Sequence, residues 1–190
     1  MTMALAALRL ITVLDPRHGL RADRWAVAIL LVGCGTGTGY IGYIYGGEPP
    51  GVRLAYMVLA AYLTVCSVTD VQTCTVYDIL QIPAAAAGAA LCFCRPVTEQ
   101  SGMGLILFGL LQYLVFMRLY GPGDVMAFQI CALYLAAAGG DILTMLLHMA
   151  AAFTTLGAVQ AVRGNINKKG NLKIPVPFLP YIAWGLLWFL

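Results

Sequence analysis

Apolar stretches of about twenty residues recur along the chain and restrict its fold more than any other feature. One of them, WAVAILLVGCGTGTGYIGYIY, runs from Trp25 to Tyr45. A helix needs roughly 20 apolar residues to cross the hydrocarbon core of a bilayer, which is about 30 Å thick. Only 10% of the 190 residues are charged, whereas a soluble domain has about 25%. Since the period-two alternation of a transmembrane barrel is not seen, the sequence predicts an all-α, polytopic transmembrane helix bundle.

The chain is predicted to have an N-terminal segment outside the membrane, residues 1–24, and a transmembrane domain, residues 25–190. The N-terminal segment holds an apolar stretch broken by Arg9, and we expect it to lie as a cytoplasmic helix along the lipid headgroups. Seven spans are predicted in the domain. They are about 25–45, 52–69, 78–94, 103–119, 124–138, 141–162 and 176–190.

The positive residues predict the orientation of these spans. Eleven Lys and Arg residues are present, and all except Arg53 and Arg95 fall on one side of the predicted topology. Loops rich in Lys and Arg stay in the cytoplasm. The N-terminus is therefore predicted to be cytoplasmic and the C-terminus external.

The six cysteines are predicted to be small buried side chains, because none belongs to a CxxC pair and most lie in apolar runs. We expect no metal site and no cofactor. The cysteines are Cys34, Cys66, Cys74, Cys92, Cys94 and Cys131.

Two aspartates stand out in this apolar chain. Asp70 follows the second predicted span and Asp124 opens the fifth, so both are expected at the cytoplasmic ends of their helices. Two carboxylates that meet at a poorly solvated site tend to share one proton, which is the arrangement of an aspartic protease. Gly121 and Gly123 would allow a tight turn and a close approach beside Asp124. The alternative for Asp124 is an N-cap of its helix.

Three motifs carry a resemblance to a known family. The first consists of Asp70, the pair Tyr77-Asp78 and then Pro83. The second is GPGDVM, from Gly121 to Met126, and the third is IPVPFLPYIAWG, from Ile174 to Gly185. In this order and on this helix pattern, the chain resembles the type IV prepilin peptidases, which are polytopic aspartic proteases with a G-x-G-D motif.

The resemblance implies that Asp70 and Asp124 are the catalytic pair, with Pro175 and Pro177 helping to shape the site. It implies an endopeptidase of the bacterial cytoplasmic membrane that cleaves prepilin or pseudopilin leaders at the cytoplasmic face. The partners would be these substrates and membrane lipids, without nucleic acid, and no oligomeric state is indicated. The zinc-binding loop of larger members is missing, which predicts a peptidase without methyltransferase activity.

The chain departs from the family pattern at two positions, where Tyr77 replaces a proline and Met126 replaces a lysine. Tyr77-Asp78 also resembles the YD element of the presenilins, which makes Asp78 a rival of Asp70. The spacing favours Asp70, and we expect Asp78 to cap the third predicted span. Two other functions stay open, namely an ion- or proton-coupled transporter and an inactive relative that acts as a membrane assembly factor.

Two further features are predicted to serve packing alone. His148 lies inside the sixth predicted span, and we expect it to be buried with a hydrogen bond to a neighbouring helix. The alternating glycines Gly33, Gly35, Gly37 and Gly39 indicate close helix packing rather than a phosphate-binding loop.

Overall fold

The computed structural model describes residues 2–14, 24–164 and 176–190, and these form a bundle of eight α-helices. The prediction of an all-helical chain is thereby confirmed for the part of the sequence that is described. A single 3₁₀ turn, Phe116–Arg118, follows the fifth helix. The helices are α1 Thr2–Leu14, α2 Arg24–Ile44, α3 Pro50–Thr73, α4 Asp78–Cys94, α5 Glu99–Leu114, α6 Pro122–Ala137, α7 Ile142–Val162 and α8 Leu179–Leu186.

Four helical segments are long and apolar enough to cross a membrane, namely α2, α3, α7 and α5 together with its 3₁₀ turn. Helices α4 and α6 are apolar but have only 17 and 16 residues. Together these segments support membrane insertion of the chain. The full seven-span topology stays a prediction.

The last predicted span, 176–190, is not one continuous helix. Helix α8 has eight residues, and at 1.5 Å per residue it is about 12 Å long, well short of a bilayer. Helix α8 starts at Leu179, later than the predicted residue 176, and prolines explain this difference. Pro177 precedes the helix, and Pro180 lies in its first turn, where the missing N–H is tolerated. The segment nevertheless runs far along the bundle, since the carbonyl of Leu190 accepts a hydrogen bond from the Tyr45 hydroxyl at 3.2 Å.

Helices α3 and α6 form the centre of the bundle. Helix α3 contacts α1, α2, α4 and α8, while α6 contacts α4, α5, α7 and α8. Their inward side chains dominate the main apolar core, with Tyr56 and Leu59 from α3 and Phe128, Tyr134 and Leu135 from α6. The two helices that carry the predicted catalytic aspartates are therefore the two with the most neighbours.

Helices α2 and α5 turn large apolar side chains outward. Trp25, Ile29 and Val32 are exposed on α2, and Ile106 and Leu110 are exposed on α5. An apolar outer surface of this kind suits acyl chains rather than water. This agrees with the predicted membrane environment.

The glycine run of α2 divides between two faces. A Cβ atom on Gly33 would lie 2.6 Å from Thr64 Cγ2, and one on Gly37 would lie 3.1 Å from Ala60 Cβ. Among the described residues, nothing lies within 4 Å of the corresponding positions on Gly35 and Gly39. Only the first pair therefore packs against α3, and the prediction of close packing is wrong for the second pair.

Helix α1 packs against α2 and α3 instead of standing apart from the bundle. Its Leu8 and Ile11 side chains are buried in a small cluster with Leu30 and Val65. Arg9 is exposed, which keeps its charge on the outer side. Contact with lipid headgroups stays a prediction, and residues 15–23 lie outside the described residues.

The predicted burial of the cysteines is correct only in part. Cys34, Cys66 and Cys131 are buried, but Cys74 and Cys94 are exposed. Both exceptions lie at the end of a helix, Cys74 as the C-cap of α3 and Cys94 as the last residue of α4. Helix ends have fewer neighbours than helix centres, and an apolar sequence run does not reveal this difference.

Charged residues join the α2–α3 connection to the end of α4. Glu48 and Arg95 form an ion pair, and the Arg95 guanidinium lies 5.8 Å from the centre of the Tyr45 ring. The hydrogen bond with Glu48 raises the pKa of Arg95 above its usual value. The connections 46–51 and 95–102 follow the first and the third predicted span, so the predicted topology places them on the same side of the membrane. The ion pair shows that they meet at one end of the bundle.

The approach of α5 to α7 predicts that Gly104→Ala destabilises the fold. The added Cβ would lie 2.6 Å from the backbone nitrogen of Ile142, and backbone atoms cannot move aside as a side chain can. Overpacking of this kind costs about 1–3 kcal/mol. Thermal unfolding of the detergent-solubilised protein measures the effect.

Gly102→Ala is the matched control. Gly102 lies in the same helix as Gly104, and its added Cβ would meet only Val97 Cγ1, at an ordinary contact distance of 3.9 Å. We expect that control to keep the wild-type unfolding temperature. Equal unfolding temperatures for the two variants would contradict the close contact at Gly104.

Candidate active site

Asp70 lies in the last turn of α3, and its side chain is only 4% exposed. The backbone N–H of Leu179 donates a hydrogen bond to Asp70 Oδ2 at 2.8 Å, and the N–H of Phe178 is also directed at the carboxylate. The first N–H groups of a helix have no partner within the helix. The start of α8 thus supplies donors that stabilise a buried carboxylate.

Asp124 is the third residue of α6 and is half-buried. The helix starts at Pro122, a residue suited to the first position, so the N-cap is Gly121 and the alternative of Asp124 as N-cap is wrong. The Asp124 carboxylate interacts with the backbone N–H of Gly121. An acidic residue at this position reaches back to the N-cap in the same way as in a capping box.

The structure brings the two aspartates together. Asp70 lies at the C-terminal end of α3 and Asp124 at the N-terminal end of α6, and α8 contacts both helices. The segments beside them adjoin, since a Cβ on Gly123 would lie 2.8 Å from Val76 Cβ, and the Tyr120 ring lies 5.9 Å from the ring of Phe178. In a site with so little solvent, two such groups favour a state in which one of them is protonated.

The loop between α3 and α4 holds the two carboxylate-bearing helix ends against each other. Helix α3 ends at Cys74, whose backbone is left-handed with φ of 50° and whose N–H bonds to the Asp70 carbonyl at 2.8 Å. The chain then brings Val76 against α6, where a Cβ on Gly123 would lie 2.8 Å from Val76 Cβ. Only a glycine at position 123 permits this approach without displacement.

Gly121 has a different role from Gly123, although the sequence suggested the same one for both. Its backbone is extended, with φ of −64°, which any residue adopts. A Cβ there would meet only Asp124 Oδ2 at 3.9 Å. What Gly121 contributes is its N–H, which faces the Asp124 carboxylate.

Asp78 does not cap α4. It is the first residue of that helix and is exposed, while the N-cap position belongs to Tyr77 in an extended conformation. The Tyr77 ring packs against the cluster of α1, α2 and α3. As a negative charge in the first turn, Asp78 still favours the helix, but nothing among the described residues joins it to the pair formed by Asp70 and Asp124.

Three further residues of the family motifs are Pro175, Pro177 and Met126. Pro177 is half-buried just before Phe178, whose N–H faces Asp70. Pro175 lies outside the described residues. Met126, which stands where the family pattern has a lysine, is 45% exposed.

An aromatic cluster joins the turn before Asp124 to the start of α8, and the sequence did not predict it. It consists of Tyr120, Phe128, Phe153 and Phe178, with ring centres 4.8–6.3 Å apart in the contacting pairs. The Tyr120 hydroxyl donates a hydrogen bond to Gln112 Oε1. A lone amide such as Gln112 in an apolar span is a signal that could have revealed this part of the site.

His148 confirms its predicted role in packing. It is buried, and its Nε2 atom lies 3.0 Å from the carbonyl oxygen of Ile182. At the adjacent residue of α8, the Tyr181 hydroxyl accepts a hydrogen bond from Gln160 Nε2 at 3.1 Å. Helix α7 therefore holds α8, whose first N–H groups face Asp70.

Comparison of the chain with protein-family models, curated proteins and solved structures finds no match. The function therefore has to be argued from the motifs and from the geometry of the site.

The contact between Gly123 and Val76 predicts that Gly123→Ala destabilises the protein by about 1–3 kcal/mol through overpacking. Gly121→Ala is the matched control, because its Cβ has room, and we expect a change within about 0.5 kcal/mol. Thermal unfolding in detergent measures both.

A second substitution tests the cause of this effect. Val76→Gly removes the three Val76 atoms that the new methyl group would meet, so the double variant Gly123→Ala/Val76→Gly should be more stable than the sum of the two single effects predicts. Additive effects of the two substitutions would show that the two residues do not interact.

Proposed function

We propose that this chain is a membrane-embedded aspartic endopeptidase, a relative of the type IV prepilin peptidases. The observation that carries the proposal is the placement of Asp70 and Asp124 at adjoining ends of two different helices, with one carboxylate buried and the other half-buried. Support also comes from the order of the three motifs. Each motif contributes to the same region, the first through Asp70, the second through Asp124 and the third through Leu179.

The proposed reaction is direct hydrolysis of a peptide bond by water. The ionised aspartate takes a proton from the water, whose oxygen bonds to the peptide carbon, while the protonated aspartate donates its proton to the carbonyl oxygen. The C–N bond then breaks as the first aspartate gives its proton to the leaving nitrogen, and the second recovers its proton from the hydrated carbonyl. Because water is the nucleophile, no covalent bond to the enzyme forms. The N–H groups of Leu179 and Gly121 stabilise whichever carboxylate is charged.

The proposed substrate is the leader of a prepilin or pseudopilin, cut at the cytoplasmic face of the bacterial cytoplasmic membrane just before its apolar N-terminal helix. The proposed topology has seven spans and a cytoplasmic N-terminus. Three described cations support a cytoplasmic location of the aspartates. Arg24 begins α2, Arg118 closes the turn after α5 and Arg163 follows α7, at the helix ends that the topology assigns to the side of Asp70 and Asp124.

The position of the carboxylates favours a peptidase over a transporter. Transporter sites lie near the middle of the bilayer, where helices are interrupted. Asp70 lies in the last turn of α3 and Asp124 in the first turn of α6. Neither of the departures from the family pattern, Tyr77 and Met126, removes a carboxylate, which favours an active enzyme over an inactive relative.

The acid pair predicts that Asp70→Asn and Asp124→Asn each abolish cleavage of a co-expressed prepilin, with a loss of roughly a thousandfold or more. An asparagine amide cannot take a proton from water as a carboxylate does, so each variant lacks one of the two carboxyl groups that the reaction requires. The mobility shift of the prepilin on a gel measures cleavage, and immunoblotting of membranes measures the protein level.

Asp78→Asn is the matched control, since Asp78 is exposed and follows the same loop, and it should cleave at the wild-type rate. Cleavage by both Asp70→Asn and Asp124→Asn would contradict the proposed mechanism. Uptake of a tracer cation by proteoliposomes that depends on Asp124 would favour the transporter.

A further inference from the structure

We infer that Tyr120 is a positioning residue that fixes the turn before Asp124 relative to the start of α8, which donates a hydrogen bond to Asp70. The inference rests on the proposed function for its catalytic meaning, but its structural part stands by itself. Tyr120 lies immediately before Gly121 and four residues before Asp124. Its ring also contacts Phe178, which immediately precedes the N–H donor to Asp70.

A hydrogen bond fixes the hydroxyl end of Tyr120. Its acceptor, Gln112 Oε1, belongs to a fully buried side chain of α5. The other end of that amide is also engaged, since Gln112 Nε2 lies 3.1 Å from Met149 Sδ of α7. A buried amide held from both sides is a rigid acceptor, so Tyr120 is tied to a fixed point between α5 and α7.

Ring contacts fix the orientation of Tyr120. Its ring centre lies 5.5 Å from that of Phe153 on α7 and 5.8 Å from that of Phe128 on α6, both with tilted planes. The ring meets Phe178 edge-on at 5.9 Å. Tilted and edge-on geometries are the favourable ones for aromatic pairs. Tyr120 therefore has one preferred position among the helices that surround the site.

The consequence for the site follows from the chain itself. The turn after Tyr120 is stiffened by Pro122, the first residue of α6, so the position of Tyr120 determines where the helix that carries Asp124 begins. The position of Phe178 determines where the Leu179 N–H points, and that N–H bonds to Asp70. The Tyr120 ring belongs to the first of these segments and contacts the second at Phe178. A shift of Tyr120 therefore moves the turn before Asp124 relative to the Leu179 N–H that bonds to Asp70.

If Tyr120 served only core packing, its substitution would lower the stability of the whole bundle. If it positions the site, its substitution lowers kcat while KM stays nearly unchanged. The test uses the full-length protein in detergent with a prepilin substrate and compares two substitutions. Tyr120→Phe keeps the ring and removes the bond to Gln112, while Tyr120→Leu removes the ring. Tyr113→Phe and Tyr113→Leu are the matched controls, because Tyr113 lies on α5 with 66% of its surface exposed.

We expect Tyr120→Phe to lower kcat about tenfold with KM nearly unchanged, the effect of one hydrogen bond. Tyr120→Leu should lower kcat about a hundredfold, the effect of a misplaced catalytic group. The Tyr113 variants should match the wild type. Wild-type kcat in Tyr120→Leu would overturn the inference, and a change confined to KM would do the same.

Hydrogen exchange measured by mass spectrometry gives a readout that does not depend on activity. In Tyr120→Leu, peptides covering 119–126 and 177–184 should exchange faster, while peptides from α2 should stay as in the wild type. Faster exchange throughout the chain, or unchanged exchange in the two segments, would overturn the inference.

The two proposals fail separately in this experiment. If the wild-type protein cleaves no prepilin, the proposed function fails, and the exchange pattern still decides whether Tyr120 joins the two segments. If the wild type cleaves and requires Asp70 and Asp124, while Tyr120→Leu has wild-type kcat, the positioning role alone is overturned.

Discussion

The hydrogen bond from the Leu179 N–H to Asp70 is the interaction on which the site depends. Asp70 is only 4% exposed at the end of an apolar helix. Burying a carboxylate there costs free energy unless hydrogen-bond donors surround it. The first residues of α8 supply these donors at a helix start, where free N–H groups are available. The bond joins parts of the chain that are far apart in sequence, and it brings the third motif to the first.

Packing around the pair gives it a fixed geometry in surroundings that contain little water. Gly123 lets the α3–α4 loop approach α6, the aromatic cluster joins the turn before Asp124 to the start of α8, and α7 holds α8 through His148 and Gln160. Catalysis by two carboxylates requires them to stay within reach of one water and one peptide bond. A bundle that holds each carboxylate segment on more than one side meets this requirement.

Much of the fold could be predicted because it depends on local properties of the sequence. Apolar length located α2, α3 and α7, and the glycine and proline before Asp124 indicated the start of α6. Predictions were wrong where contacts with other parts of the chain decide the position or the exposure of a side chain. The predicted cap at Asp78 and the alternative of a cap at Asp124 were wrong because Tyr77 and Gly121 occupy the N-cap positions. Cys74 and Cys94 are exposed because helix ends have few neighbours. The prolines around α8 made the last helix shorter than its apolar composition suggested.

The sequence by itself determined that the chain is helical and apolar, and it singled out Asp70 and Asp124 as carboxylates near helix ends. Only the tertiary structure decided that their helix ends adjoin, that Leu179 donates to Asp70, and that Gly123 rather than Gly121 is the position without room for a side chain. The reason is physical. Helix formation and hydrophobicity depend on residues within a few turns of each other, whereas the partners of a buried carboxylate come from distant segments that meet only when the helices pack.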